Sequence, residues 1–271
     1  MDWAEVRRGM NGKSEKLKIA QSYGQPALSY HAQASLQQDC AAKLLALLEL
    51  WEVPPGVILE VGCGTGFLTQ GLCDRFPHHP LQVTDLSADM LHFCQTHLQI
   101  APDRAPVSFQ QMDGEMLEEN ERYGLIVANF VIQWFKQPVE SLLGWLERLK
   151  PSGILCLAFP TCDSFPEWRQ VCESLQIPFT ANLLPNPQTL IEALSKFSQD
   201  VYLQEEMFYT THRNASDFFR GLKSIGAGIN ISGQKLSSPK MKNLIQYWDN
   251  CIEKDGVLQV HHHIAFLLIR R

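Results

Sequence analysis

The junction between an aliphatic run and three alternating glycines constrains the fold of this chain more than any other stretch. Residues 57–61 read Val-Ile-Leu-Glu-Val and are followed by Gly62, Gly64 and Gly66, after which apolar residues recur at helical spacing. This pattern predicts a strand, a tight loop and a helix. Glycine lets a ligand approach the backbone because it has no Cβ, and the helix start supplies free N–H groups. We therefore expect a ligand site at this loop.

The spacing of the glycines argues against a pyrophosphate ligand. Dinucleotide-binding loops follow the pattern G-x-G-x-x-G, whereas this loop follows G-x-G-x-G and has an acidic residue, Glu60, two positions before Gly62. A carboxylate at that place would repel a pyrophosphate and suits a cationic group, such as the ammonium of an amino acid. The alternative is a glycine-rich turn without a ligand, and acidic residues further along the chain count against it.

Seven strands are predicted, five in a strand–helix alternation and two late in the chain. They cover residues 57–61, 81–86, 107–112, 125–130, 154–159, 201–209 and 257–269. The alternation predicts a doubly wound, Rossmann-like α/β sheet that is mostly parallel. The last two strands lack room for ordinary crossovers, which favours an antiparallel strand seven. Lys150–Gly153 is predicted as a turn, and Ser87 and Asn186 as helix N-caps.

Polar residues stand at the predicted carboxyl ends of the strands, where open α/β sheets bind their ligands. Asp85 ends the second strand about 20 residues after the glycine loop, a placement that suits a carboxylate accepting two ribose hydroxyls. Asp113 ends the third strand and could accept the amine of an adenine, and Asn129 ends the fourth. The alternatives are that Asp85 only precedes a helix cap and that Asp113 is a solvated loop acid.

The glycine loop and these acids resemble the E/D-x-G-x-G-x-G motif and strand ends of class I S-adenosylmethionine-dependent methyltransferases, across residues 57–160. The resemblance implies S-adenosylmethionine as the cofactor and a seven-stranded sheet with an antiparallel last strand. Leu86 and Met90 would sandwich the adenine ring, unless both are core residues. We expect cofactor contacts from Tyr23, Tyr30, Gln37, Glu60, Gly62, Cys63, Gly64, Gly66, Asp85, Leu86, Met90, Asp113, Gly114 and Asn129.

A narrower resemblance extends from about residue 18 to the C-terminus. The stretches that carry it are 19–24 (IAQSYG), 29–37 (SYHAQASLQ), 129–134 (NFVIQW), 184–187 (LPNP) and 219–227 (FRGLKSIGA). Together they resemble the malonyl-acyl-carrier-protein O-methyltransferases of biotin synthesis. The chain departs from that family in residues 1–17 and in the last strand, where a run of three histidines stands in place of the aromatic residues expected.

The narrower resemblance implies methyl transfer from S-adenosylmethionine to the free carboxylate of a malonyl thioester. The methyl ester hides a charge, so that fatty-acid elongation enzymes can extend the chain toward pimelate. A carboxylate is already ionised at neutral pH, so we expect no general base. What remains for the protein is to position the carboxylate against the methyl group and to exclude water.

The substrate is expected to contact Tyr30, Gln133, Trp134, Arg220 and Lys223. Arg220 and Lys223 lie three apart on a predicted helix and would share a face; arginine can hold a carboxylate with two hydrogen bonds. The alternative is a solvated basic face. Six basic residues and one acid lie between residues 213 and 242, which predicts docking of an acidic acyl carrier protein or of the phosphates of coenzyme A.

We divide the chain into a loosely ordered extension and a methyltransferase domain. The ranges are 1–17 for the extension, 18–53 for a helical lid that carries Tyr23, Tyr30 and Gln37, 54–160 for the cofactor-binding half, 161–256 for a helical substrate-side insertion with strand six, and 257–271 for the last strand. Core packing is the alternative role of the two tyrosines. For the His261–His263 run, a half-exposed strand face is favoured over a metal site.

Composition narrows the functional class. The chain has 271 residues and a net charge of −6, which argues against general nucleic-acid binding. The polar N-terminus predicts no signal peptide, and no apolar run reaches the ~20 residues of a membrane span. Eight cysteines without a C-x-x-C pair favour a reducing, cytoplasmic location without metal or disulfides. Two alternatives stay open: a methyltransferase for another small carboxylate or an amine, and a cofactor-binding protein without catalysis.

Overall fold

Seven strands form one sheet in a computed structural model that describes residues 16–21, 27–117, 121–198, 200–226, 235–252 and 256–271. The strands are β1 (Val57–Val61), β2 (Leu81–Asp85), β3 (Val107–Gln111), β4 (Tyr123–Asn129), β5 (Leu149–Pro160), β6 (Val201–His212) and β7 (Leu258–Arg270). Their order in the sheet is β3-β2-β1-β4-β5-β7-β6. β1 to β5 run parallel, and β7 runs antiparallel to both β5 and β6. The predicted fold is confirmed.

The hairpin-like pair of β6 and β7 continues past the end of β5. β5 pairs with β7 only as far as Pro160, which lies opposite Ile264, whereas β6 pairs with β7 down to Leu258. The residues of β7 before Ile264 therefore have a neighbouring strand on one side only. This overhang stands at the carboxyl edge of the parallel strands, where the sequence predicts the ligand site.

Nine α-helices of the described residues, together with a helical segment at residues 16–21 and two short 3-10 helices, complete the fold. The nine are α1 (Ala27–Gln33), α2 (Ser35–Leu47), α3 (Phe67–Arg75), α4 (Ala88–His97), α5 (Pro138–Arg148), α6 (Pro166–Ser174), α7 (Pro187–Leu194), α8 (Ala215–Ser224) and α9 (Ser238–Asn250). Both predicted caps are confirmed: the Ser87 hydroxyl accepts from Met90 N at 3.4 Å, and Asn186 Oδ1 accepts from Gln188 N at 2.9 Å. The predicted turn Lys150–Gly153 is instead an irregular start of β5, with Ser152 at φ 61°.

Three apolar clusters hold these layers together. One face of the sheet packs against α2, α3 and α4 through residues such as Leu44, Leu72 and Cys94. The opposite face packs against α5 and α7, with Trp145 almost fully buried. The third cluster is aromatic and joins α6, α8 and α9 to the start of β7. These helices, which fall in the range 161–256 predicted as a substrate-side insertion, therefore pack against the overhang through a shared cluster.

Residues 16–21 are helical, so helical structure begins inside the segment 1–17 that is expected to be loosely ordered. Ile19 of this helix is buried. Residues 1–15 and Tyr23 lie outside the described residues. Among the described residues, no helix has the length and apolar character needed to cross a membrane.

Candidate active site

A cavity of about 480 Å³ opens at the carboxyl ends of β1, β2 and β4 and reaches the overhang of β7. Its size is typical of a small-molecule site. The predicted cofactor contacts that line it are Tyr30, Gln37, Gly62, Gly64, Asp85, Leu86, Met90, Asp113, Gly114 and Asn129. These residues form what we call the strand-end half of the cavity. The aromatic half is lined by Phe165, Trp168, Phe219 and His262.

The first two glycines of the loop have different roles in the strand-end half. Gly62 has a φ of +74°, and a Cβ placed on it would lie 2.4 Å from Val131 Cγ2, so packing excludes a side chain there. Gly64 has a φ of +53°, and its nearest neighbour, the Tyr30 ring, lies 4.0 Å from a Cβ placed on it. Gly64 therefore leaves free space on the cavity side of the loop, into which a ligand can fit.

Asp85 at the end of β2 is held by the backbone on both carboxylate oxygens. Oδ2 accepts from Gly64 N at 2.9 Å and Oδ1 accepts from Ser87 N at 2.8 Å. Burial raises the pKa of Asp85, and the N–H donors of Ser87, Gly64 and Leu86 act in the opposite direction. A carboxylate has about four acceptor positions, so this fixed group still has acceptor positions for a ligand.

Asn129 and Gln37 join the end of β4 to the lid. Asn129 Nδ2 donates to the backbone oxygen of Gln37 at 2.9 Å, while Asn129 Oδ1 is buried and has no hydrogen-bond partner among the described residues. Buried polar atoms are almost always paired. Since Asn129 lines the cavity, this oxygen is a candidate acceptor for a ligand. The next residue, Phe130, has a φ of 58°, a conformation that non-glycine residues adopt rarely.

Asp113 lines the cavity together with a residue that the sequence reasoning missed. Lys16 Nζ lies 2.5 Å from Asp113 Oδ2 and 2.6 Å from Glu115 Oε2. Burial lowers the pKa of Lys16, but its hydrogen bonds to the two carboxylates outweigh this and raise it overall. The helix at residues 16–21 is thus tied to the rim of the strand-end half. No motif marks Lys16 in the sequence, and it falls in the segment 1–17 that is predicted to be a loosely ordered extension.

The structure does not bring Glu60, Cys63 and Gly66 into the cavity lining. Glu60 is only 1% exposed, and burial raises its pKa well above the usual value; Cys94 adds to this and the Thr69 hydroxyl opposes it. The contact of the Glu60 carboxylate with a cationic ligand stays a prediction. Glu60 alternates with Leu59 and Val61 along β1, so its side chain lies on the face of the sheet that packs against α2, α3 and α4.

The lid helix α1 carries Tyr30 at the cavity and contacts both α3 and α8. The His31 ring stacks on Phe67 with centroids 4.6 Å apart, and Gln33 Oε1 accepts from the Ser224 hydroxyl of α8 at 2.5 Å. Tyr30 of the same helix lines the cavity, and burial together with the charge of Asp85 raises its pKa. The predicted position of Tyr30 and Gln37 over the site agrees with these contacts.

The predicted substrate residues divide into those that line the cavity and one that does not. Gln133, Trp134 and Lys223 line it. Arg220 points away: its side chain is 67% exposed, and its Nη2 lies 3.3 Å from Asp217 Oδ1. Lys223, one turn later on α8, lines the cavity, as does Lys16, which is paired with Asp113 and Glu115. Arg220 lies outside the lining, which counts against its expected role.

The aromatic half contains residues that sequence motifs did not identify. Phe165 immediately precedes α6, and Trp168 lies within it. Phe219 comes from α8, and His262 comes from the overhang of β7. Strand alternation carries a partial signal, since it places His262 on the opposite face from His261 and His263. The sequence alone does not show which of these faces the cavity, because that depends on how the insertion packs against β7.

A family model described as a methyltransferase domain matches residues 59–155. The malonyl-[acyl-carrier protein] O-methyltransferase of Magnetococcus marinus is 33% identical over 233 residues, which are 84% of this chain and 84% of that protein.

Solved structures share the fold. The YcgJ protein of Bacillus subtilis aligns with a TM-score of 0.58 at 14% identity, over 85% of this chain and 98% of that one. The magnesium protoporphyrin IX methyltransferase of Synechocystis, solved with bound S-adenosylhomocysteine, aligns with a TM-score of 0.51 at 12% identity, over 86% and 83% of the two chains. At these identities the likeness is one of fold alone.

Proposed function

Because this chain belongs to the family of malonyl-[acyl-carrier protein] O-methyltransferases, we propose that it methylates the free carboxylate of a malonyl thioester. The chain is an S-adenosylmethionine-dependent O-methyltransferase. The proposed product is the malonyl methyl ester that starts the pimeloyl chain for biotin. The observation that carries the proposal is a single cavity that joins a polar strand-end half to an aromatic half with a cation, Lys223, among its lining residues.

The strand-end half fits S-adenosylmethionine at three places. Gly64 leaves free space beside its backbone, Asp85 keeps acceptor positions for ribose hydroxyls, and the buried Asn129 Oδ1 offers an acceptor for an amino group. Leu86 and Met90 would enclose the adenine, and Asp113 would accept its amine. The bound cofactor supplies an electrophilic methyl group on a sulfonium centre.

The chain's own residues then have to position an anion that is already a nucleophile. A malonyl carboxylate with a pKa near ~4 is ionised at neutral pH, so the reaction needs no proton transfer to a side chain. Lys223 at the cavity provides the opposite charge, and Gln133 and Trp134 also line the cavity. Closure by α1, tied to α8 through Gln33 and Ser224, would exclude water and strengthen these interactions.

The carrier that presents the malonyl group is proposed to dock beside α9. Met241 lines the cavity, and Lys240 and Lys242 on either side of it are exposed. Arg213 and Arg220 both pair with Asp217, whereas Lys235, Lys240 and Lys242 take part in none of the ion pairs among the described residues. We propose that these three lysines, which we call the docking lysines, form a positive surface beside the cavity. An acidic acyl carrier protein complements it.

Methyl transfer from labelled S-adenosylmethionine to the malonyl carrier tests the proposal directly. Incubation of the purified protein with malonyl-carrier should give a base-labile methyl ester on the malonyl group, identified by mass spectrometry. Acetyl-carrier, which has no free carboxylate, should give none. Label on another small carboxylate or an amine, with none on malonyl thioesters, would reject the proposed substrate. Binding of the cofactor without turnover on any of these would reject catalysis.

A further inference from the structure

One wall of the aromatic half carries a buried histidine. His262 lies on the overhang of β7, is 7% exposed and lines the cavity. Its ring meets the edge of Phe165 with centroids 5.1 Å apart. Its neighbours in sequence face elsewhere: His261 pairs with Glu167, and His263 Nδ1 lies 2.8 Å from Thr161 Oγ1. Of the three consecutive histidines, His262 is therefore the one that a ligand in the cavity can touch.

His262 is the inner end of a chain of three side chains. Thr210 Oγ1 lies 2.9 Å from His262 Nε2 and 2.8 Å from His212 Nε2. Burial, together with the neighbouring His212 and His261, lowers the pKa of His262 to about 4. Burial lowers the pKa of His212 too, against the opposing charge of Asp217. Both rings are therefore neutral at pH 7, and each has one N–H and one lone pair.

The single hydroxyl proton of Thr210 couples the two rings. When Thr210 donates to one Nε2, it accepts from the N–H of the other, so the chain has two arrangements. If Thr210 donates to His262 Nε2, His262 carries its proton on Nδ1 and can donate to a ligand. In the reverse arrangement Nδ1 is unprotonated, and its lone pair repels an oxygen atom of a ligand. Nδ1 is the other hydrogen-bonding atom of the ring, and none of the hydrogen bonds among the described residues engages it.

We propose that His262 binds the malonyl group through Nδ1–H, and that Thr210 and His212 hold the tautomer that makes this donor available. The inference rests on the proposed function and adds a substrate-binding residue to it. Every oxygen atom of a malonyl thioester is an acceptor, so the bound substrate selects the arrangement in which Nδ1 is protonated. A purely apolar acyl group would leave this N–H unpaired in an aromatic wall, which disfavours its binding.

Two replacements separate the two ring nitrogens. An asparagine amide reaches the place of Nδ1 and not that of Nε2, whereas a glutamine amide reaches the place of Nε2. His262→Asn therefore keeps a donor for the substrate and loses the hydrogen bond with Thr210. His262→Gln keeps the hydrogen bond with Thr210 and loses the donor for the substrate. His262→Phe removes both and keeps the ring. His261→Gln, on the next residue and outside the cavity lining, is the matched control.

The measurement is the steady-state rate with malonyl-carrier, beside the affinity for S-adenosylmethionine by calorimetry. His262→Phe and His262→Gln should lower kcat/KM for malonyl-carrier about 10- to 100-fold, as expected for loss of a hydrogen bond to a charged or strongly polar acceptor. His262→Asn should retain at least several-fold more activity than His262→Gln. Cofactor affinity and the His261→Gln rates should stay at the wild-type values.

Thr210 provides the second test. Thr210→Val should lower kcat/KM for malonyl-carrier, and Thr210→Ser, which restores the hydroxyl, should recover it. Wild-type rates in both His262→Phe and His262→Gln would overturn the inference, as would His262→Asn falling below His262→Gln. A wild-type protein that does not methylate malonyl-carrier at all would reject the proposed function instead, before any variant is compared.

Discussion

The two halves of the cavity are built in different ways. In the strand-end half, Gly64 and Asp85 come from adjacent parallel strands, and their contact follows from the sheet order alone. In the aromatic half, Phe165, Phe219 and His262 come from two helices and the last strand, and meet only because the insertion packs on the overhang of β7. The first half is thus fixed by local sequence and the second by tertiary packing, which predicts that substitutions separate cofactor binding from acyl binding.

The largest expected effect comes from Asp85→Ala. This change removes the acceptor of the proposed ribose contacts and leaves the Gly64 and Ser87 N–H groups without their acceptor. Each hydrogen bond to a charged group contributes about 1.5–3 kcal/mol, so the Kd for S-adenosylmethionine should rise by at least about 100-fold. Asp89→Ala, on an exposed residue in the first turn of α4, is the control. Equal affinities of the two variants in calorimetry would remove Asp85 from the site.

The sequence predicts the strand-end half well for a physical reason. The glycine loop, Asp85, Asp113 and Asn129 all stand at strand ends, and parallel strands bring their carboxyl ends to one edge. Glu60 lies outside the cavity lining, because residues alternate along β1 and its side chain lies on the opposite face from Leu59 and Val61. Lys16 could not be found, because its ion pairs with Asp113 and Glu115 depend on where the first helix docks.

In the aromatic half, sequence periodicity does not predict which side chains face the cavity. The family resemblance pointed to the segment 219–227, yet within it the structure selects Lys223 and turns Arg220 toward Asp217. The two residues project about 60° apart around the axis of α8, so the way this helix packs decides which of them meets the cavity. His262 illustrates the same limit, because alternation separates it from His261 and His263 without showing which side is inward.

Two buried groups should give opposite dependences of stability on pH: Glu60, which lies outside the cavity lining, and His262 in the aromatic half. Glu60 has a folded-state pKa raised above its ordinary ~4.3; the folded state therefore holds the extra proton, and this contribution to stability is lost as the pH rises above that value. His262 has a folded-state pKa of about 4, below its ordinary ~6.5. The unfolded state holds the extra proton between these values, so stability rises as the pH increases from about 4 to 6.5.

Urea unfolding of the cofactor-free protein at several pH values measures both effects. His262→Phe should remove a rise in the unfolding free energy on the order of 3 kcal/mol between about pH 4 and 6.5. Glu60→Gln should remove the decrease in unfolding free energy that begins above about pH 4.5. Parallel stability curves for the two variants would contradict the assigned protonation states.

A smaller effect is expected within the aromatic half from the cation on α8. Lys223→Gln should raise the KM for malonyl-carrier about tenfold, because it removes the charge that faces the carboxylate; partial exposure and salt screening limit the effect. The Kd for S-adenosylmethionine should not change. Arg220→Gln, one turn earlier and bound to Asp217, should leave the KM within about twofold. The reverse ranking of the two variants would move the substrate carboxylate to the Arg220 side of the helix.

The smallest effect lies outside both halves, at the docking lysines. Reversing Lys235, Lys240 and Lys242 to Glu should raise the KM for malonyl-carrier several-fold at low salt, and the difference from wild type should shrink as salt is added, since exposed charges act over about 10 Å at 0.1 M. A small malonyl thioester without a carrier or a phosphate, such as malonyl-pantetheine, should react equally well with both proteins, because it does not use this surface. A matched triple change to Gln should give an intermediate KM. If the triple Glu variant reacts more slowly with the carrier substrate and with the small thioester to the same extent, the lysines affect the cavity rather than docking. Their role would then be part of substrate binding in the aromatic half.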